Sequence, residues 1–250
     1  GGDDIAKNIV IKAIEKKFHI VTANKALIAL HGTKINQLSL EKNCSVLYEA
    51  SVAGAVPIIK VIKESLSANK IQWIAGIING TTNYILTEML LSGKNFNDVL
   101  DEAKELGYAE SDPTFDIGGI DAAHKLTILA SISFGIPLNF DSVYVEGIED
   151  IDLQDLNNAM ELGYTIKHLA IARKSKYGIE LRVHPCLVPN SRLLANVNGV
   201  KNAVVVNSDA AGPTLYYGAG AGSLATASSV VSDIIDIGRN LSINSKKSTP

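Results

Sequence analysis

Apolar positions recur at helical spacing over residues 4–17, where Ile5, Ile9, Ala13 and Ile14 share a face, and a short apolar run, His19 to Thr22, follows as a strand. The rhythm then repeats. Lys25 to His31 and Lys34 to Lys42 read as helices, Ser45 to Ala50 as a strand, and Val56 to Ser67 as an amphipathic helix opened by Pro57. Strand and helix in alternation imply a parallel sheet. The β-branched run Ile71 to Ile78 predicts a strand, broken by Asn79-Gly80-Thr81-Thr82-Asn83 before a helix that continues through Leu91. Further helices are expected at about Asn97 to Leu106, Asp121 to Phe134 and Asp155 to Leu162. From Thr165 the period changes. Strands near Thr165 to Arg173, Ile179 to Leu187, Ala203 to Ser208 and Pro213 to Tyr217 suggest one largely antiparallel layer. Gly218-Ala-Gly-Ala-Gly222 then opens a helix from Ser223 to about Asn240, and residues 241–250 read as a polar, frayed tail.

With 250 residues, 46% hydrophobic and 20% charged, and a net charge of -3, the chain suits a soluble globular protein of one or two domains. No basic stripe interleaved with aromatics appears, which argues against nucleic-acid binding. No apolar run reaches membrane-spanning length, and the opening Gly-Gly-Asp-Asp lacks the features of a signal peptide, so the default expectation is a cytoplasmic protein without a membrane partner. Cys44 and Cys186 form no C-x-x-C, which favours buried thiols in a reducing compartment, although the two could still pair. The absence of G-x-S-x-G, H-E-x-x-H and a P-loop lysine removes the usual hydrolase, zincin and NTPase readings.

The densest chemistry lies between Gly107 and Lys125, where Glu110, Asp112, Asp116, Asp121 and Lys125 share a stretch punctuated by Pro113 and Gly118-Gly119. Proline and paired glycines forbid a continuous helix, so the first three acids fall on a loop feeding a helix that starts near Asp121. Four residues apart, Asp121 and Lys125 share a helix face. The plain reading is an exposed ion pair worth about a few tenths of a kcal/mol. The functional one is an ammonium acid/base held beside a substrate by a carboxylate. His124 would point about 100° away from Lys125 and reads as supporting. A strand ending in Gly80 and Thr81 at a helix start offers a donor-rich pocket, and its plain reading is N-capping by Thr81 or Thr82. Gly220-Ala-Gly-Ser-Leu-Ala225 formally matches a dinucleotide fingerprint, but no strand and acid follow it. Its glycines still permit close approach of backbone N–H groups to a ligand. A carboxylate-pair hydrolase using Glu110 with Asp112 or Asp116 would leave the lysine and glycine blocks unexplained.

Taken together, Thr22-Ala-Asn-Lys25, Tyr48-Glu-Ala-Ser-Val-Ala-Gly54, Gly76-Ile-Ile-Asn-Gly-Thr-Thr-Asn83, Gly107-Tyr-Ala-Glu110 with Asp112-Pro113, Gly119-Ile-Asp121-Ala-Ala-His-Lys125 and Gly218-Ala-Gly-Ala-Gly222 closely resemble homoserine dehydrogenases, in order and in register to about residue 240. The resemblance implies an α/β fold: a partial Rossmann-type parallel βα domain over residues 1–50, completed by 218–240, and an α+β substrate-binding and dimerisation domain over 51–217 with a mixed, largely antiparallel sheet. It implies reversible reduction of L-aspartate 4-semialdehyde to L-homoserine with NADP or NAD, on the route to threonine, methionine and isoleucine, in a homodimer. Lys125 becomes the acid/base, with Asp121 beside it. Glu110, Asp116, Lys25 and Thr81 become substrate contacts, and Lys25, Gly107 and Gly222 cofactor contacts. Glu49 with the carbonyls of Val52, Gly54 and Val56 matches a monovalent, sodium-like cation site. The family's G-x-G-x-x-G strand, turn and helix have no counterpart in the sequence, so the expectation is weak or no turnover by this chain alone and no readable preference between NAD and NADP. The alternative is a noncatalytic substrate-binding and dimerisation fragment.

Overall fold

The structure, a computed structural model, describes residues 3–247. Helix α1 (Asp3–Glu15), strand β1 (Ile20–Val21), helix α2 (Lys25–Lys42) and strand β2 (Val46–Leu47) form a βα unit whose strands pair in parallel, Ile20 with Val46 and Val21 with Leu47. Asn24 caps α2 by accepting from the Leu27 amide at 3.0 Å, so the turn after β1 delivers Lys25 as the first residue of the helix. The sequence predicts two helical pieces around Gly32, yet α2 is unbroken. Gly32 is buried against Leu138, whose Cδ1 would lie 2.5 Å from an added Cβ, so this glycine marks a close approach within the helix. The predicted strand from Ser45 stops at Leu47, because a 3-10 turn over Glu49–Ser51 swings Glu49 into the interior. The helix opened by Pro57 is α3 (Ile58–Lys60), continued by a π-helical turn over Val61–Ser65.

A six-stranded mixed sheet follows in the order β4-β6-β5-β3-β7-β8, comprising β3 (Ile71–Ile77), β4 (Tyr144–Val145), β5 (Tyr164–Ser175), β6 (Gly178–Pro189), β7 (Lys201–Ser208) and β8 (Gly212–Ala219). Its pairings are antiparallel except that β4 runs parallel to β6. Strand alternation sorts the side chains. Ile74, Ala170, Ala172, Val204 and Val206 join the large core with residues of α2, α3 and α7 (Ile120–Phe134), while Ile77, Leu169 and Ala203 pack with Leu194, Ala195 and Val197 in a smaller cluster. Around that smaller cluster Ala75, Ile171, Val205 and Leu215 stay half-buried. Helices α4 (Gly80–Ser92), α5 (Phe96–Glu105) and α8 (Leu153–Glu161) enclose a third cluster. Helix α9 (Ser223–Lys247) returns from β8 to the Glu49 turn and β1, and it extends seven residues past the predicted end at Asn240. Of the expected tail, residues 241–247 are thus helical and 248–250 lie outside the described residues.

Lys167 on β5 is 1% exposed, its ammonium donating to the Val197 carbonyl at 2.6 Å, Asn198 Oδ1 at 3.2 Å and Asn83 Oδ1 at 3.3 Å. Burial lowers its pKa from 10.5 to about 8. Between those two values the unfolded chain binds more protons, so this lysine makes stability rise with pH, and its unfavourable contribution is complete below about pH 8. Urea unfolding at pH 7.5 and pH 10 should show wild type gaining roughly 2–3 kcal/mol relative to Lys167→Met across that interval.

Candidate active site

The polar centre is built by the junction of β3 with α4 and by the first turn of α7. Gly119, with φ +84, lets the chain turn sharply out of α6 (Thr114–Ile117) into α7, which starts at Ile120. Asp121 and Lys125 then face the end of β3. Lys125 Nζ donates to Asp121 Oδ2 at 2.6 Å and to the Ile78 carbonyl at 2.7 Å, while Lys25 Nζ lies 2.8 Å from Asp121 Oδ1. One carboxylate therefore bridges two ammonium groups delivered by α2 and α7. Burial alone would push the Asp121 carboxyl up, but the Lys125 and Lys25 charges prevail and hold it at about 2. Asp116 moves the opposite way. Burial raises its pKa, the hydrogen bond from Asn79 opposes the rise, and the Asp121 charge adds to it.

These groups line a cavity of about 500 Å³ with Thr81, Gly107, Tyr108, Glu110, Lys201 and the backbone of Ala219–Gly222. The structure thus brings Lys25, Thr81, Gly107, Glu110, Asp116, Asp121, Lys125 and Gly222 to one pocket. Thr81 does not cap α4. Asn79 does so, accepting from the Thr82 amide at 2.9 Å, and the Thr81 hydroxyl instead donates to the Tyr108 carbonyl at 2.6 Å, fixing the wall that carries Glu110. Asp112 is exposed and turned to the Thr114 amide, and Asp116 sits on α6 in place of an open loop. The His124 ring stacks on Phe140 with centroids 4.3 Å apart. Asn79 and Lys201 are pocket residues that sequence reasoning passed over, Asn79 because the cap was assigned to Thr81 or Thr82.

Glu49, Val52, Gly54 and Val56 lie outside this cavity, and Gly54 abuts its wall. Gly54, at φ +56, packs so closely on the pocket-lining glycine turn that an added Cβ would stand 2.6 Å from the Gly220 carbonyl. Glu49 is buried, its two oxygens each accepting at 2.8 Å from the amides of Ile59 and Lys60. Burial raises its pKa to about 7 despite those bonds, and Asp233 adds to the rise. The Gly54 carbonyl accepts from the Ser229 hydroxyl at 2.7 Å. No group of three or more His, Cys, Asp or Glu side chains suited to a metal occurs among the described residues.

A lysine–carboxylate centre thus sits beside a parallel βα unit and a largely antiparallel sheet, in an α/β protein. The family model described as homoserine dehydrogenase matches residues 57–235, and the chain belongs to that family. A homoserine dehydrogenase of Pseudomonas aeruginosa is 60% identical over 250 residues, 100% of this chain and 58% of the relative. The crystal structure of a homoserine dehydrogenase from Thiobacillus denitrificans superposes with a TM-score of 0.97 at 56% identity, over 100% of this chain and 58% of that one. A hyperthermophilic archaeal homoserine dehydrogenase in complex with NADPH gives a TM-score of 0.81 at 32% identity, over 94% of this chain and 68% of that one. The chain therefore spans a little over half the length of the first two.

Proposed function

We propose that this chain carries the homoserine-binding and acid/base part of the reversible NAD(P)H-dependent reduction of L-aspartate 4-semialdehyde to L-homoserine, a step toward threonine, methionine and isoleucine. The observation that carries the reading is the Lys125 ammonium: two of its three N–H bonds are committed to Asp121 and the Ile78 carbonyl, leaving the third for a substrate oxygen in the cavity. As an aldehyde is reduced its oxygen gains negative charge, and Lys125 stabilises that charge and then transfers the proton. In the oxidative direction it takes the proton back. Asp121, ionised beneath both lysines, holds Lys125 in its aim at the cavity. Glu110 at the exposed wall suits the substrate ammonium, with Asp116 and Thr81 beside it.

Lys25, Gly107 and Gly222 are the residues we assign to the nicotinamide cofactor. They fit it: Gly107 and Gly222 have positive φ and open space where a Cβ would stand, and both line the cavity. When bound, that cofactor supplies or accepts the hydride. The test is homoserine-dependent reduction of NADP and NAD by the purified chain in alkaline sodium buffer, beside Lys125→Ala. A slow rate lost in the variant is expected, and a rate that survives Lys125→Ala refutes the assignment. The second reading, a substrate-binding and dimerisation fragment, is favoured by the parallel sheet having two strands among the described residues. Homoserine binding with no turnover would select it.

A sodium-like cation is assigned to Glu49 and the carbonyls of Val52, Gly54 and Val56. Glu49 is a buried carboxylate whose pKa is raised to about 7 by burial, with Asp233 and Lys60 acting on it in opposite directions, and oxygen ligands of this kind suit a hard cation. Sodium in place of choline should stabilise wild type by about 2.7 kcal/mol at a hundredfold excess over Kd. Unchanged stabilisation in Glu49→Gln would refute the site. The half-buried sheet face at Ala75, Ile171, Val205 and Leu215 is assigned to a homodimer contact. Sedimentation equilibrium should give twice the 26.6 kDa chain mass, and Ile171→Lys should give the monomer. A small-molecule enzyme of this kind fits the cytoplasm, and no helix among the described residues is long and apolar enough to cross a membrane.

A further inference from the structure

We propose that Asn79 is a positioning residue for the lysine–carboxylate centre: its single amide group holds Asp116 and Asp121 apart in fixed orientation and thereby sets the direction of the Lys125 ammonium. The inference rests on the reading of Lys125 as the acid/base.

Asn79 is 4% exposed, and all of its polar side-chain capacity is directed. Its Oδ1 accepts from the Thr82 amide at 2.9 Å, which fixes the amide plane and turns the NH2 group away from the helix. That NH2 group has two hydrogens and meets two carboxylates, Asp116 Oδ1 at 2.7 Å and Asp121 Oδ2 at 3.0 Å. Asp121 Oδ2 is also the oxygen that accepts from Lys125. Ile78, the adjacent residue, accepts the second Lys125 hydrogen bond through its carbonyl. Two consecutive residues at the end of β3 therefore orient the centre, one through the main chain and the other through its amide.

The helix start is what makes this work. Thr82 anchors the oxygen end of the Asn79 amide, so the nitrogen end has one direction left, toward the two acids. Without the amide, the half-buried Asp116 carboxylate would face the buried Asp121 carboxylate with no donor between them, and the one more ready to protonate is Asp116. A proton taken up there, or a rotation of Asp121, would displace the oxygen that aims Lys125.

Capping and clamping can be separated, because serine caps helices about as well as asparagine but has no NH2 group. The experiment compares wild type, Asn79→Ser and Asn79→Asp as the 250-residue chain, using carbon NMR titration of Asp116 and Asp121, thermal unfolding, and calorimetric titration with L-homoserine. In Asn79→Ser the unfolding midpoint should move by less than about 3 °C, while the Asp116 titration midpoint rises by at least about half a pH unit. Homoserine Kd should rise by no more than about fivefold, because Asn79 reaches the substrate only through Lys125 and ground-state binding rests on other groups. Asn79→Asp keeps the cap and adds a third carboxylate, so its titrations and affinity should shift further. Carboxyl titrations in Asn79→Ser that overlay those of wild type overturn the proposal. So does a serine variant that fails to fold, since Asn79 would then be structural. If wild type itself does not bind homoserine, the functional reading fails, and the carboxyl titrations still decide the role of Asn79.

Discussion

Lys125→Ala is expected to lower kcat for homoserine oxidation about a thousandfold, within the range set by losing a general acid/base. The effect is best read in a chimera joining this chain to the remainder of a long relative, where the rate of the unaltered protein is high enough to lose three decades. KM should change less than about fivefold, because the proton is transferred in the transition state while ground-state binding rests on other groups. The substitution also removes a donor from the Ile78 carbonyl and a partner from Asp121, but Lys25 still neutralises that carboxylate at 2.8 Å. Stopped-flow or steady-state absorbance of the reduced cofactor checks the outcome. A loss of less than tenfold would place the proton donor elsewhere.

Asp121→Asn is expected to have the largest effect on stability. The carboxylate side chain is 5% exposed and is the shared partner of Lys25 and Lys125. Its pKa is 3.8 unperturbed and about 2 in the folded chain, so the folded state releases the proton more readily. The stabilisation is present in full above about pH 3.8 and is lost as pH falls toward 2. At pH 7 it amounts to about 2 kcal/mol. Breaking a buried pair can cost roughly 3–5 kcal/mol, but Lys25 is one-third exposed and will hydrate once released. Urea unfolding of wild type and Asp121→Asn at pH 7 and near pH 3 should show the gap narrowing on acidification. Turnover should fall as well, since Lys125 loses the group that aims it.

Much of the architecture was legible from hydrophobic period and turn residues, for physical reasons particular to each segment. The antiparallel strands β5 to β8 announce themselves through period-two alternation between turns, and α7 through its apolar face after Gly118-Gly119. Gly32 was misleading because a glycine needed for close packing against Leu138 looks like one that ends a helix. The short β2 was overextended because Tyr48 continues the strand-favouring run of Val46 and Leu47, whereas the chain turns at Glu49, whose carboxylate is buried. At the site, the spacing of Asp121 and Lys125 gave their shared face directly. The link from Lys25 to Asp121 spans 96 positions and carried no local signal. Asn79 stayed hidden for a related reason, since its bonds to Asp116 and Asp121 exist only once β3, α6 and α7 converge.

The central claim is that the cavity between Lys125 and Glu110 recognises homoserine, and calorimetric titration of L-homoserine into the folded chain tests it most directly. The account predicts saturable one-to-one binding that weakens by at least about tenfold in Glu110→Ala, as expected when a charged hydrogen bond to the substrate ammonium is removed. A folded wild-type chain that shows no saturable binding, or binding that Glu110→Ala leaves unchanged, would contradict it.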